Sequence, residues 1–144
     1  MTESVRRDLP DCPPRFDTSL VRPYWDALAR GDFVLPACSI CGAWQWYPYE
    51  FVKCHAGAQH VWKPAPQTGT VFTFAEVHRW FLPNAPDDAP PYVAALVELD
   101  GIGGLRIPTC LVNLAGRRPA IGMRVRLLPV QRTGYTAPMF EPAE

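Results

Sequence analysis

The sequence of 144 residues lacks three features that mark common classes of protein. No apolar run approaches the roughly 20 residues that cross a bilayer. Residues 1–16, MTESVRRDLPDCPPRF, contain no apolar core of the kind that a secretory signal requires. Neither sign of charge is in excess, because 14 Lys and Arg residues balance 14 Asp and Glu residues. We therefore expect a cytoplasmic protein that does not bind membranes. We also expect no binding to nucleic acid, because proteins that contact a phosphate backbone usually carry surplus positive charge.

Long helices are also absent from the pattern, and 17 prolines against 10 glycines favour short strands and rigid turns. One short helix is predicted at residues 20–30, with Thr18 and Ser19 as capping candidates and Gly31 at its end. Runs rich in β-branched and aromatic residues then predict four strands and a short fifth, at 70–78, 92–99, 105–114, 124–130 and 138–142. This pattern predicts a mainly β fold with a small closed or partly open barrel.

Three of the five cysteines lie at the spacing of a zinc ribbon. Cys38 and Cys41 form a C-x-x-C-G knuckle that ends at Gly42, and Cys54 follows where the second half of a ribbon belongs. A knuckle without metal and a redox pair are the alternatives. The redox alternative needs a βαβ context, whereas strand-like aromatic sequence follows here. The spacing favours one structural zinc per chain.

The fourth zinc ligand is missing from its usual place, because residue 57 is glycine where a complete ribbon has cysteine. His55 and His60 are the available substitutes. We prefer His60, because a direct neighbour of Cys54 would have to bend back sharply. Four protein ligands close the site, so the predicted zinc folds the segment and performs no catalysis. The predicted ligands are Cys38, Cys41, Cys54 and His60.

Aromatic residues crowd the same segment, with six of them in about 30 residues. They are Trp44, Trp46, Tyr47, Tyr49, Phe51 and Trp62. So thin a module cannot bury them all, and some must remain exposed. We predict a docking patch for a partner protein formed from Trp44, Trp46, Tyr47 and Tyr49.

The sequence offers no convincing nucleophile with its base. The remaining catalytic candidate is His78, at the end of the first barrel strand, with Glu76 on the same face. Histidines in such strands are more often packed or surface residues than catalysts. We therefore predict no catalytic residue, with His78 as the alternative.

The chain is neutral as a whole, but its C-terminal part is basic. No Asp or Glu lies between Gly101 and Phe140, whereas six arginines do, and we call this part the basic half. The simpler interpretation is a surface that pairs with the more acidic N-terminal half or with a partner chain. The sharper one is an anchor for an anionic ligand, such as the phosphates of CoA, at Arg117, Arg118 and Arg124.

The ordered set of motifs resembles the family that joins a rubredoxin-like zinc ribbon to an OB fold. The resemblance begins with the helix that ends in Gly-Asp-Phe (31–33) and continues through the knuckle. It then includes Gly-Thr-Val-Phe-Thr-Phe (69–74), Val-His-Arg (77–79), Pro-Tyr-Val-Ala-Ala-Leu-Val-Glu-Leu (91–99), Leu-Val-Asn (111–113) and Ile-Gly-Met-Arg-Val (121–125). It implies an N-terminal arm and helix at 1–34, a zinc ribbon at 35–66 and an OB-fold barrel at 67–144.

The resemblance also implies a function. Members of this family accompany thiolase-like proteins, among them aldolases of steroid side-chain degradation and acyltransferase assemblies, in which the partner carries out the chemistry on acyl-CoA. The resemblance therefore implies a non-catalytic subunit. The alternatives are a subunit that contributes His78 to acyl-CoA chemistry and an OB-fold nucleic-acid binder. The second rests on fold analogy alone and conflicts with the neutral charge.

Overall fold

The computed structural model describes residues 10–14, 19–83 and 85–143. In chain order the elements are helix α1 (Arg22–Ala29) and strands β1 (Val34–Cys38), β2 (His60–Pro64), β3 (Thr68–Val77), β4 (Tyr92–Leu99), β5 (Arg106–Leu111), β6 (Arg124–Arg132) and β7 (Tyr135–Pro142). The predicted fold class, mainly β with one short N-terminal helix, is confirmed. Most of the predicted arm at 1–17, and the capping candidate Thr18, lie outside the described residues.

Helix α1 starts two residues later than predicted, and no side chain caps it. Val21 occupies the N-cap position and makes no side-chain cap hydrogen bond. A proline in the first turn, Pro23, is suited to the start of a helix, because the amide it lacks would have no intrahelical partner there. The helix ends as predicted, because Gly31 follows the C-cap with φ of +85°.

Strands β1 and β2 form a two-stranded antiparallel sheet, in a register that runs from Val34 opposite Pro64 to Cys38 opposite His60. The connection between these strands, residues 39–59, carries Cys41, Cys54 and five of the six aromatic residues of the predicted ribbon segment. The sheet thus brings the knuckle at the end of β1 next to the start of β2.

The other five strands close into a barrel in the order β3-β4-β5-β7-β6, with β6 returning to β3. All pairings are antiparallel except that of β5 with β7, which meet at Leu111 and Phe140. The fifth predicted strand is real and longer than expected. Gly69 is required where β3 pairs with β4, because a Cβ there would collide with the backbone oxygen of Glu98. This order and closure are consistent with the predicted OB-fold barrel.

One hydrophobic core joins all three predicted segments. Tyr24 and Leu28 of the helix and Leu35 of β1 belong to the same cluster of buried side chains as barrel residues such as Val97 and Phe140. The ribbon and helix therefore pack on the barrel. The boundaries at 34/35 and 66/67 remain a prediction.

Candidate metal centre

The knuckle is shaped by backbone hydrogen bonds around Cys38. The Gly42 amide donates to the Cys38 carbonyl at 2.9 Å, and the Cys38 amide donates to the Ala43 carbonyl at 2.8 Å. Gly42 adopts φ of +75°, which a residue with a Cβ rarely tolerates. The Ile40 amide lies 3.4 Å from Cys38 Sγ. The turn thus brings the thiols of Cys38 and Cys41 close to each other.

The second half of the site comes from the turn that follows Cys54. Cys54 Sγ lies 3.5 Å from Cys41 Sγ, and His55 Nδ1 lies 3.6 Å from Cys38 Sγ. The four donor atoms of Cys38, Cys41, Cys54 and His55 all lie within 4.8 Å of one another. The chain turns back directly after His55, where Gly57 has φ of +78°. Two adjacent residues can therefore face the same point, contrary to our reason for preferring His60.

His60 is not brought to this cluster. Its Nε2 lies 2.8 Å from the carbonyl oxygen of Tyr49, so the ring is engaged by the connection between β1 and β2. The structure therefore replaces His60 with His55 in the candidate ligand set.

The donor set fits zinc. Zn–S bonds of about 2.3 Å and Zn–N bonds of about 2.0–2.1 Å in a tetrahedron place neighbouring ligand atoms roughly 3.5–3.8 Å apart. The separations of 3.5 Å and 3.6 Å between donor atoms of this cluster agree with that geometry. Three thiols and one imidazole fill four positions, which is the composition of a structural site and leaves none for a substrate. A zinc ion held there would cross-link the two turns.

The pKa values of Cys38 and Cys54 are shifted in opposite directions. Hydrogen bonds from the backbone amide of Cys41, and then that of Ile40, lower the pKa of Cys38 to about 6. The pKa of Cys54 is raised to about 11, first by its hydrogen bond with Cys41 and then by burial and the neighbouring thiols. Crowded thiolates repel one another, and a bound cation offsets that repulsion.

The structure divides the four predicted docking aromatics. The side chains of Tyr47 and Tyr49 are 55% and 45% exposed. Trp44 and Trp46 are half-buried and pack against the core, and the Trp46 ring lies 4.5 Å from that of Tyr24. Phe51, 66% exposed, was absent from our predicted patch. We name residues 47–51 the aromatic loop.

His78, the catalytic alternative, lies on the surface. Its side chain is 73% exposed, and its Nε2 is 3.9 Å from a carboxylate oxygen of Glu76. Such a pair in solvent is worth little energetically and holds no reacting group in place. The assignment of no catalytic residue remains a prediction.

Four arginines of the basic half form ion pairs with carboxylates, three of which belong to residues before Gly101 and one to Glu141. The ion pairs are Arg106–Glu98, Arg124–Asp100, Arg126–Glu141 and Arg132–Asp11. Arg124 donates two hydrogen bonds to Asp100, at 2.8 Å and 2.7 Å, and these lower the pKa of that carboxyl to about 2. Arg117 and Arg118 are exposed beyond β5. Arg124, one of the three candidate anion anchors, is therefore engaged by a carboxylate.

Comparison with known proteins identifies both parts of the chain. Residues 25–59 match the rubredoxin-like zinc ribbon domain of ChsH2, and residues 62–128 match the ChsH2 C-terminal OB-fold domain. The chain belongs to this two-domain family. Family and donor set together fit one structural zinc, as predicted from the knuckle.

Solved structures that are similar to the chain include the following two. A chain of a structure described as the Ltp2-ChsH2(DUF35) aldolase is 28% identical, with a TM-score of 0.77, over 91% of this chain and 100% of that one. A DUF35-family protein of unknown function from Sulfolobus solfataricus, 13% identical with a TM-score of 0.58 over 98% of this chain and 92% of that one, shares the fold. No curated protein sequence matches the chain. No helix among the described residues is long and apolar enough to span a membrane.

Proposed function

We propose that this chain is a non-catalytic accessory subunit that binds and supports a thiolase-like enzyme, an aldolase or acyltransferase, acting on acyl-CoA. The observation that carries the proposal is a closed metal site next to an exposed aromatic loop, in a chain similar over its length to one from an aldolase complex. A subunit of this kind contributes surface and stability, and its partner contributes the reacting groups.

The metal centre supports a structural role. Four side chains form the cluster, whereas catalytic zinc sites keep three protein ligands and an open position for water or substrate. The only histidine outside this segment, His78, is solvent-exposed. These features favour assembly over catalysis.

The aromatic loop supports docking to a protein. Three of its five side chains, Tyr47, Tyr49 and Phe51, are large and at least 45% exposed. Large exposed aromatic side chains are costly to leave in water and are enriched at interfaces, where they act as anchors. Their position on the ribbon leaves the barrel core undisturbed when they bind.

The finer identity of the partner and substrate follows from the family resemblance. It implies a thiolase-like enzyme of steroid or lipid side-chain degradation and a substrate carried on CoA. Arg117 and Arg118, exposed on the loop after β5, are suited to the CoA phosphates. The structure described as the Ltp2-ChsH2(DUF35) aldolase supports the aldolase form of the proposal.

The test mixes the purified chain with a purified thiolase-like protein, the proposed partner. We expect a stable complex, no turnover of acyl-CoA substrates by this chain alone, and higher activity or stability of the enzyme when the chain is added. Phe51→Ala should weaken the complex at least tenfold, or about 1.4 kcal/mol. The matched control is Phe81→Ala, which removes another exposed aromatic ring from the loop between β3 and β4.

Two outcomes would refute the proposal. One is turnover of an acyl-CoA by the pure chain that His78→Ala abolishes, which would make the chain an enzyme. The other is equal weakening by the Phe51 and Phe81 variants, which would remove the aromatic loop from the interface.

A further inference from the structure

The aromatic loop has no regular secondary structure, yet side chains from outside it bind two of its carbonyl groups. His60, the first residue of β2, contacts the Tyr49 carbonyl oxygen through Nε2 at 2.8 Å. Gln45 donates from Nε2 to the Tyr47 carbonyl at 3.3 Å and accepts the Lys53 amide at Oε1 at 3.2 Å. Side chains that precede and follow the aromatic loop in the chain therefore both hold its backbone by hydrogen bonds.

The contact with Tyr49 defines the state of the His60 ring. A carbonyl oxygen only accepts, so Nε2 carries the proton and donates it to the loop. His60 Nδ1 is buried and has no hydrogen-bond partner among the described residues. The ring thus makes one directed hydrogen bond, from a strand whose register places it opposite Cys38.

Contacts within the loop are consistent with a defined shape. The rings of Tyr49 and Phe51 stack with centroids 6.1 Å apart, and Lys53 Nζ lies 4.4 Å from the centroid of the Tyr49 ring. Pro48 and Val52 are buried and anchor the backbone on either side of Tyr49. The exposed rings of Tyr49 and Phe51 therefore lie between two buried residues.

We infer that His60 and Gln45 are positioning residues that hold the aromatic loop in the conformation in which it binds the partner enzyme. This inference rests on the proposed function. Aromatic side chains that are ordered before binding lose less conformational entropy when the complex forms, so affinity rises without a new contact. His60, which our sequence analysis made a zinc ligand, thereby becomes a residue that supports the partner interface from behind the loop.

The test compares His60→Leu with His60→Gln in the full chain. Glutamine can place an N–H donor near the position of histidine Nε2, whereas leucine fills similar space without a donor. For His60→Leu we expect about tenfold faster hydrogen exchange of the Lys53 amide, about tenfold weaker binding of the thiolase-like partner, and unchanged zinc content. His60→Gln should restore both protection and affinity. His55→Ala, in contrast, should lose zinc.

A second variant keeps the test independent of any packing defect at His60. Gln45→Ala removes the donor to the Tyr47 carbonyl and the acceptor of the Lys53 amide, so binding of the thiolase-like partner should weaken while zinc stays bound. The inference is wrong if His60→Leu leaves exchange and affinity unchanged, if it releases zinc, or if glutamine fails to rescue. A wild-type chain that binds no thiolase-like protein would refute the proposed function, and exchange would still decide whether the two residues hold the loop.

Discussion

The ribbon and the barrel are stabilised in different ways. The barrel closes five strands on a core in which Phe140, Val97 and Val125 are fully buried. The ribbon has two strands and a long connection, and its outer residues, such as Ile40 and Phe51, lie mostly in solvent. Apolar burial is enough for the first, whereas a two-stranded sheet is marginal without further restraint. The metal centre and the side-chain hydrogen bonds of the connection supply that restraint.

The two regions nevertheless share a junction. Helix α1 and strand β1 contribute Tyr24, Leu28 and Leu35 to the barrel core, and the Trp46 ring packs on Tyr24. Packing against the barrel therefore fixes the inner face of the ribbon, whereas the metal centre stabilises its outer face. This division explains why half of the aromatic set is available to a partner and half is not.

The largest effect should come from removing a zinc ligand. Cys41→Ser should lower zinc content from one per chain to less than about a tenth of that and abolish amide protection in the connection between β1 and β2, because metal binding in such modules contributes roughly 10–16 kcal/mol. Cys41 is exposed, so the loss cannot be attributed to packing.

The control makes the same chemical change in the barrel. Cys110→Ser, in β5, should keep full zinc content and ribbon protection. Elemental analysis and hydrogen exchange measure both. A folded, protected ribbon without zinc in the Cys41 variant would break the comparison, because packing alone would then stabilise both regions.

A smaller effect should follow from a cavity in the barrel. Phe140→Ala removes a side chain that is 0% exposed and should lower the free energy of unfolding by about 3–5 kcal/mol. Urea denaturation of the zinc-loaded protein measures it, with Phe81→Ala, 84% exposed, as the control that should change by less than about 0.5 kcal/mol. If the chain remains folded, zinc should stay bound. Loss of zinc from a folded Phe140 variant would show that the ribbon depends on the barrel core.

The smallest effect should come from the ion pair on the barrel surface. Arg124 and Thr68 hold the pKa of Asp100 at about 2, below the usual carboxyl value of about 3.9. The pair therefore contributes stability above about pH 4, and that contribution is lost as pH falls toward 2. Asp100→Asn should slightly lower stability at neutral pH, and the difference should vanish near pH 2.

Denaturation profiles between pH 2 and 7 measure this difference, with Asp88→Asn, at an exposed loop position, as control. Equal profiles for Asp100→Asn and the wild type would show that the pair contributes nothing to the barrel. Because the Asp100 and Arg124 side chains are both partly exposed, solvent screening keeps the effect small.

Features that depend on local chemistry could be predicted from the sequence. The C-x-x-C-G knuckle and Cys54 predicted a zinc site because thiols at that spacing reach one ion, and the β-rich runs after residue 67 predicted barrel strands because alternation and turns are local properties. Gly31 predicted the helix end, because a positive φ is a property of one residue. The two family domains confirm this reading.

Only the tertiary structure decided between alternatives that share the same local chemistry. His55 and His60 offer the same imidazole nitrogens and are therefore chemically equal as zinc ligands. The turn at Gly57 directs one toward the thiols, and the pairing of β2 with β1 turns the other toward Tyr49. In the same way, Trp46 is covered by a helix residue 22 positions earlier in the chain, while its neighbour Tyr47 stays in solvent. Contacts between distant segments set these outcomes, and no local pattern contains them.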